Sequence, residues 1–518
     1  MRNPARGQPS SLAAISAILG CGNGCRRSTA LAVLAALGGS QAAQAQPPSQ
    51  SIIPAAHTTT SFGVYDVAHA VATQSDGRIV AGGYTGETIL DSAAEHDFAL
   101  ARYLPDGQLD QTFGTDGRVA TDFGADRQVI YDLAVLPDDR ILAAGIIVQT
   151  VTTLGGTDWD LVVARYTADG QLDASFGPGG HVALDLDGGE NDHLGAIAVQ
   201  PDGRIVLAGI ADDQLALVRL APDGQLDPSF GRGGVSIAGP AARSSVGEGL
   251  VVGPDGAIVV VGSAKTSGSF WDMVVVRFDA LGLMDSAFGP GGVAILSLGH
   301  TGGRTNGLGG AVDLMPDGRI VATGSVDRTR RDYDFHVARL LPDGSLDPSF
   351  AGSAHANYDV HGQEHDFAQD MVLRPDGGVF VAGWTFFGSV SAMGLALHLP
   401  NGALDARFGN AAGGGRAIVM PPAAGRLLPH AAAPLAGDQV VVVGGQDERV
   451  GNGYVSDFAV TIVDLPPAAA TPSPTATPMP TASPTPVTPP SATWTPTPTA
   501  TPTPVGIYLP AVLRRWRR

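Results

Sequence analysis

Four carboxylates fall within eight residues in the run Asp185-Leu-Asp187-Gly-Gly-Glu190-Asn-Asp192. A glycine-containing acidic loop suits a hard cation such as Ca2+, which takes about six to eight oxygen ligands. Asp185, Asp187, Glu190 and Asp192 are therefore the candidate metal ligands. The run lacks EF-hand spacing and its closing Glu, so it also suits an ordinary solvated acidic loop. A smaller group, His361 and His365 beside Glu364 and Asp366, offers mixed nitrogen and oxygen ligands in another loop.

A second set of residues suits binding. Trp159, Trp271, Tyr333 and Trp384, with Phe270, Phe386 and Phe387 nearby, lie in or beside segments that precede apolar strands. Rings gathered on one face supply a stacking surface for sugars, because they combine apolar area with polar handles. Core packing at the loop bases is the plainer reading of the same residues. Signatures of catalysis are missing: the chain contains no His-Glu-x-x-His, Gly-x-Ser-x-Gly, phosphate-cradling Gly-Lys-Ser/Thr or helix-opening Gly-x-Gly-x-x-Gly. No catalytic residue is assigned, and the reading leans away from an enzyme.

These segments interrupt a repeat. Leu-Asp-x-x-Phe-Gly occurs at Leu109-Asp110 with Phe113-Gly114, at Leu172-Asp173 with Phe176-Gly177, and at Leu226-Asp227 with Phe230-Gly231. Variants follow at Met284-Asp285 with Phe288, Leu346-Asp347 with Phe350, and Leu404-Asp405 with Phe408. Between them recur alternating apolar stretches joined by Pro-Asp-Gly-like turns, as in Ala196-Ile-Ala-Val-Gln-Pro-Asp-Gly-Arg-Ile-Val-Leu-Ala-Gly209. Pro presets one turn dihedral, Asp bonds its own backbone and Gly accepts positive φ, so each reads as a tight hairpin.

A second hairpin in each unit, such as the one within 97–110, makes four strands per repeat. The prediction is an all-β, seven-bladed β-propeller of four-stranded blades, with six full repeats and one split blade. The worn seventh unit lacks its own Leu-Asp-x-x-Phe-Gly, and Ser61-Phe62-Gly63 looks like that piece. Segment 52–67 is thus expected to pair with 440–463 and lock the ring. The six periodic aspartates read as turn-capping groups, and Asp97/Arg102, Asp160/Arg165, Asp272/Arg277 and Asp334/Arg339 as bridges to neighbouring strands.

Together, Leu-Asp-x-x-Phe-Gly and Pro-Asp-Gly-Arg-Ile-Val-x-x-Gly resemble the delta-60 repeat family of bacterial secreted proteins. The resemblance spans 61–465 and implies extracellular propeller-like modules, with no catalytic residues to carry over. Ala351, where Gly is expected, Asp279-Ala-Leu-Gly282 and the seventh unit depart from the pattern.

The flanks read as address and tether. Arg26-Arg27, the apolar run Ala30–Leu37 and Ala43-Gln-Ala45 have the order of a signal peptide over 1–45, followed by an N-terminal linker over 46–60. Residues 466–504 read as a disordered Thr/Pro-rich stalk, and 505–518 as a short apolar and basic tail suited to envelope attachment. Its nine-residue apolar stretch is too short to span a bilayer, which takes about 20 residues. Both cysteines, Cys21 and Cys25, lie in the leader, so the body has no disulfide and no thiolate metal site.

The chain has 31 basic and 50 acidic residues; four Arg lie in the leader and four beyond Asp464, which leaves the body a net charge of −27. That field excludes nucleic acid as the main partner. The expected protein is a secreted, cell-surface-associated monomer that binds a protein, glycan or cation through its loops. The alternatives are a secreted hydrolase or lyase with a metal at the channel mouth, and purely structural use in an envelope or matrix.

Overall fold

A computed structural model describes residues 52–468 except 87–94, 152–155, 187–191, 212, 238–244, 267–270, 297–306, 328–332, 361, 363–364, 388–389, 410–413, 422–424 and 451–452. The described elements are all strands, and no helix among them is long and apolar enough to cross a membrane. The proposed leader, the tail and the stalk beyond residue 468 lie outside the described residues.

Seven four-stranded blades form the structure. Blade 1 consists of β2 (Tyr65–Thr73), β3 (Ile79–Gly86), β4 (His96–Tyr103) and β5 (Arg118–Thr121). Blade 2 consists of β6 (Arg127–Val135), β7 (Ile141–Val151), β8 (Gly156–Tyr166) and β9 (His181–Leu184). Blades 3 to 6 repeat this order within 193–237, 245–296, 307–358 and 366–419, each a four-stranded antiparallel sheet. The inner strand of each blade packs on the inner strand of the next, and that of blade 7 packs on β2, which closes the ring.

Blade 7 is built from both ends of the described chain. Its first three strands are β26 (Arg426–Leu435), β27 (Gln439–Val450) and β28 (Gly453–Asp464), and its fourth is β1 (Ala56–Thr60). The β1–β28 ladder runs antiparallel from Ala56 opposite Ile462 to Thr60 opposite Phe458. This is the expected pairing, but β1 comes from residues counted above with the linker.

Ser61-Phe62-Gly63 is also not the missing Leu-Asp-x-x-Phe-Gly. It follows the fourth strand, as Asp122-Phe123-Gly124 does in blade 1. Phe62 packs on Phe458 at 5.0 Å, as Phe123 packs on Phe98 at 5.4 Å. The likeness of two Phe-Gly pairs concealed the different positions.

The repeated residues hold blades to one another. Arg102 donates from Nε to Asp110 Oδ2 at 2.9 Å, from Nη1 to the Ala168 carbonyl of blade 2 at 2.6 Å, and lies 4.8 Å over the Phe113 ring. Phe113 is fully buried, and Gly114 N–H donates to the Asp169 carbonyl in the next blade. The unit recurs around Arg165, Arg219, Arg277 and Arg339. In blade 6, His398 stands in the arginine's place and bonds the Gly402 carbonyl.

Asp110 Oδ1 also accepts from Thr112 N–H and its hydroxyl, the turn-capping role expected of the periodic aspartates. The arginines thus bridge within their own blade and to the next. Ala351 takes the positive φ, +51°, that Gly holds in the earlier copies.

The closing glycine of Ile-Val-x-x-Gly has a separate task. A Cβ on Gly83 would lie 1.8 Å from the Val67 carbonyl oxygen, and one on Gly209 would lie 2.0 Å from that of His193. Only glycine lets the inner strand come this close. There every inner strand slips register in a β-bulge, between Ala68 and Ala70 in β2 and between Pro429 and Ala431 in β26. The bulge recurs in all seven blades.

Candidate functional site

Because the strands alternate in direction, the Pro-Asp-Gly hairpins and the Leu-Asp-x-x-Phe-Gly connections share one end of the ring. The second-to-third-strand hairpins and the links between blades share the other. The first end is stereotyped by Arg–Asp–Phe units. The second, the loop end, carries the irregular segments and nearly all residues singled out for chemistry.

At the junction of blades 2 and 3, Asp160 of β8, Asp185 just after β9 and Asp192 just before the inner strand of blade 3 bring carboxylate oxygens within 4.8 Å of one another. Asp192 is fully buried, and its Oδ2 accepts from Leu186 N–H at 2.8 Å. Of the four candidate ligands, the structure joins Asp185 and Asp192 and adds Asp160; Asp187 and Glu190 lie outside the described residues. Asp160 and Arg165 do not bond each other, as their five-residue separation implies; Arg165 bonds Asp173. The group draws on two adjacent blades, not on three around the channel.

The junction before it shows what such a place accommodates. Gln128 occupies the position of Asp192, and its amide donates to Asp122 Oδ1 at 2.9 Å and to Asp97 Oδ1 at 3.5 Å. In blade 2 a third carboxylate replaces that donor.

The junction of blades 5 and 6 repeats the acidic version with Asp334, Asp359 and Asp366. Asp366 is fully buried and accepts from Val360 N–H. Burial, with the neighbouring carboxylates Asp359 and Asp334 adding to it, raises its carboxyl to about 8 against the Thr385 hydroxyl and Val360 amide, which lower it.

The aromatic candidates separate. Tyr333 and Trp384 come together with Phe367 between them: Tyr333 stacks on Phe367 at 4.8 Å and Phe367 on Trp384 at 4.8 Å. Phe386 meets Trp384 edge-on at 5.4 Å, and His365 lies 5.8 Å from Tyr333. Tyr333, Phe367 and Phe386 are half-buried and Trp384 is buried, so the group is a partly open stack across blades 5 and 6. Trp159 packs on the core of blades 1 to 3. Trp271 packs on Ile210 and Val246 beneath Lys265, whose Nζ lies 4.6 Å from its ring centre. Of the other local candidates, His361 and Glu364 lie outside the described residues, and His365 belongs to the stack.

A second cluster was not legible in the sequence. The bulge positions carry His69, Tyr131, Gly195, Glu248, Gly310, Gln369 and His430, one backbone geometry with seven divergent occupants. His69 lies 4.6 Å from His430 and 5.5 Å from Tyr131, and Tyr131 lies 4.7 Å from His193. The signal available in the sequence is position: each bulge residue stands a fixed distance before a Pro-Asp-Gly turn, so aligning the repeats exposes it.

The family described as a domain of unknown function (DUF5122) beta-propeller matches residues 74–113, 136–176, 200–230, 253–288 and 316–350. Each matched block starts near the Pro-Asp-Gly hairpin and ends at the phenylalanine of the Arg–Asp–Phe unit. No curated protein matches the chain in sequence.

Among solved structures, a protein of unknown function from Dyadobacter fermentans is similar at 13% identity, covering 78% of this chain and 96% of that one, with a TM-score of 0.38. Polysaccharide lyase Uly1 is similar at 11% identity over 77% and 90% of the two chains, with a TM-score of 0.43. Drosophila Plexin A, in complex with Semaphorin 1b, is similar at 10% identity over 80% and 87%, with a TM-score of 0.41. The closed ring and the five matched blocks agree: the chain is a β-propeller repeat protein.

Proposed function

We propose that this chain is an exported, surface-associated propeller that binds a protein or glycan ligand at the loop end of its ring. The observation that carries this reading is the Tyr333–Phe367–Trp384 stack, three parallel-leaning rings on the variable end and none of them part of the Leu-Asp-x-x-Phe-Gly or Pro-Asp-Gly motifs. Such rings offer sugar faces or apolar side chains a flat contact at small entropic cost. The Leu-Asp-x-x-Phe-Gly motifs support placing the repeats with the delta-60 family. The signal-like leader and Thr/Pro stalk support export and attachment.

A glycan array probed with the full chain tests the reading, with Tyr333→Ala and Phe386→Ala as controls. Binding that both substitutions weaken supports the glycan form. An array without binding, with no change in Trp fluorescence on adding oligosaccharides, removes it and leaves the protein ligand.

The group Asp160, Asp185 and Asp192 favours a Ca2+ site as a second element of the same end. Its support is the third carboxylate standing where the neighbouring junction has an amide donor, since a cation supplies the same compensation. Calcium titration followed by melting temperature tests it. An unchanged melting temperature, with Asp192→Asn also without effect, removes it.

A further inference from the structure

We propose that His69 and His430 together hold a transition-metal ion at the junction of blades 7 and 1, with copper(II) the species their geometry fits best. The two residues occupy equivalent bulge positions on β2 and β26, the inner strands of neighbouring blades at the closure. A bulge re-aims one side chain out of the regular pleat, and here it does so twice at one point. The two imidazole centroids are 4.6 Å apart with planes inclined at 53°.

Distance selects the metal class. A metal about 2.0–2.1 Å from an imidazole nitrogen lies about 3.2 Å from the ring centre. Two rings 4.6 Å apart then subtend about 90° at a shared ion. That angle matches adjacent positions of a tetragonal site, which Cu2+ and Ni2+ prefer, and is narrower than the tetrahedral arrangement of Zn2+. Imidazole is a poor ligand for Ca2+ or Mg2+, so this place differs chemically from the acidic junctions.

The surroundings suit the ion. His69 is 4% exposed and His430 8%, which keeps bulk water from the pair. Tyr84 stacks on His69 at 5.6 Å and Tyr131 lies 5.5 Å away, which fixes the imidazole between two rings. His96 and His193 stand one ring further out, 4.7 Å from Tyr84 and from Tyr131.

The experiment is Cu2+ titration of the full chain after chelator treatment, read by electron paramagnetic resonance and by melting temperature, with Ca2+ as the control ion. The expected result is a copper spectrum split by two nitrogens and a melting temperature that rises with Cu2+. His69→Gln and His430→Gln each weaken binding by about tenfold or more, and His355→Gln leaves it unchanged. A wild-type spectrum with oxygen ligands alone overturns the proposal, even if the variants fail to fold. Equal copper binding by the H69Q/H430Q double variant overturns it as well.

Discussion

The Arg219 guanidinium donates to Asp227 Oδ2 at 2.9 Å with both side chains buried, while the same guanidinium lies 4.6 Å over Phe230 and Asp227 caps its own turn through Ser229. One arginine thus ties a turn, a buried ring and the next blade. Removing the acid strands a buried cation.

Asp227→Ala is expected to cost about 3–5 kcal/mol, the range for breaking a buried pair. Asp285→Ala is expected to cost about 1 kcal/mol or less, because Arg277 and Asp285 keep 19% and 29% of their side-chain surface exposed. Urea denaturation of the two variants checks the order. Equal losses would show that the pair's burial is not what sets its worth.

Removal of residues up to Thr60 is expected to lower the melting temperature of the whole ring. The cut bares the edge of β28 and the side chains of Phe458, Val460 and Ile462, and it removes the Tyr103 hydroxyl's bond to Thr60 at 2.8 Å. Open strand edges also invite association. Calorimetry and light scattering read both effects, and an unaffected melting temperature would count against closure through β1.

Gly209→Ala is expected to cost several kcal/mol, since its new methyl would lie 2.0 Å from a backbone carbonyl oxygen that cannot withdraw without straightening the bulge. Gly179→Ala meets nothing within 4 Å and carries only the penalty of φ +77°, about 1–2 kcal/mol. Soluble yield and denaturation midpoints separate a steric from a conformational cost.

Stability is expected to decline on both sides of about pH 6.5. Burial lowers His336 and His398 to about 4, so the unfolded chain takes protons first as pH falls from about 6.5 towards 4, and stability is lost across that window. Asp366 acts in the opposite sense. Its folded carboxyl titrates at about 8, so between about 4 and 8 the unfolded chain has released the proton that the fold retains, and stability drops as pH rises. Asp366→Asn should remove that alkaline decline while keeping an acceptor for Val360 N–H. A decline between pH 6 and 8 of the same size in D366N would assign it to another group.

Blade number, strand count and closure were legible because they rest on period: Asp110, Asp173 and Asp227 mark successive units of similar length, and turn chemistry is local. The role of those aspartates was half legible. Turn capping follows from the residue itself, but the pairing with Arg102 eight residues earlier requires knowing that both lie at one end of the blade.

The candidate site was less visible. Asp185 and Asp192 were recognisable as a dense acidic run, whereas Asp160 joins them only through the pairing of β8 with β9 and the packing of adjacent blades. His69 and His430 stand at opposite ends of the repeat array, and only ring closure makes them neighbours. Tyr333 and Trp384 were found by residue type. Phe367, the ring that unites them, lies within a strand and gave no separate signal.

The exit of the chain determines how the ring carries load. Beyond Asp464 the Pro466 carbonyl accepts from Arg374 and the Pro467 carbonyl from Arg407, so the C-terminal segment is clasped at the stereotyped end. Tension applied there enters along β28, which is flanked by β27 over its full length and by β1 over five residues. Force along a strand held on both sides loads its cross-bonds in shear, many at once, and not one after another as in peeling. Pulling on that exit therefore loads both ladders of the closing blade together.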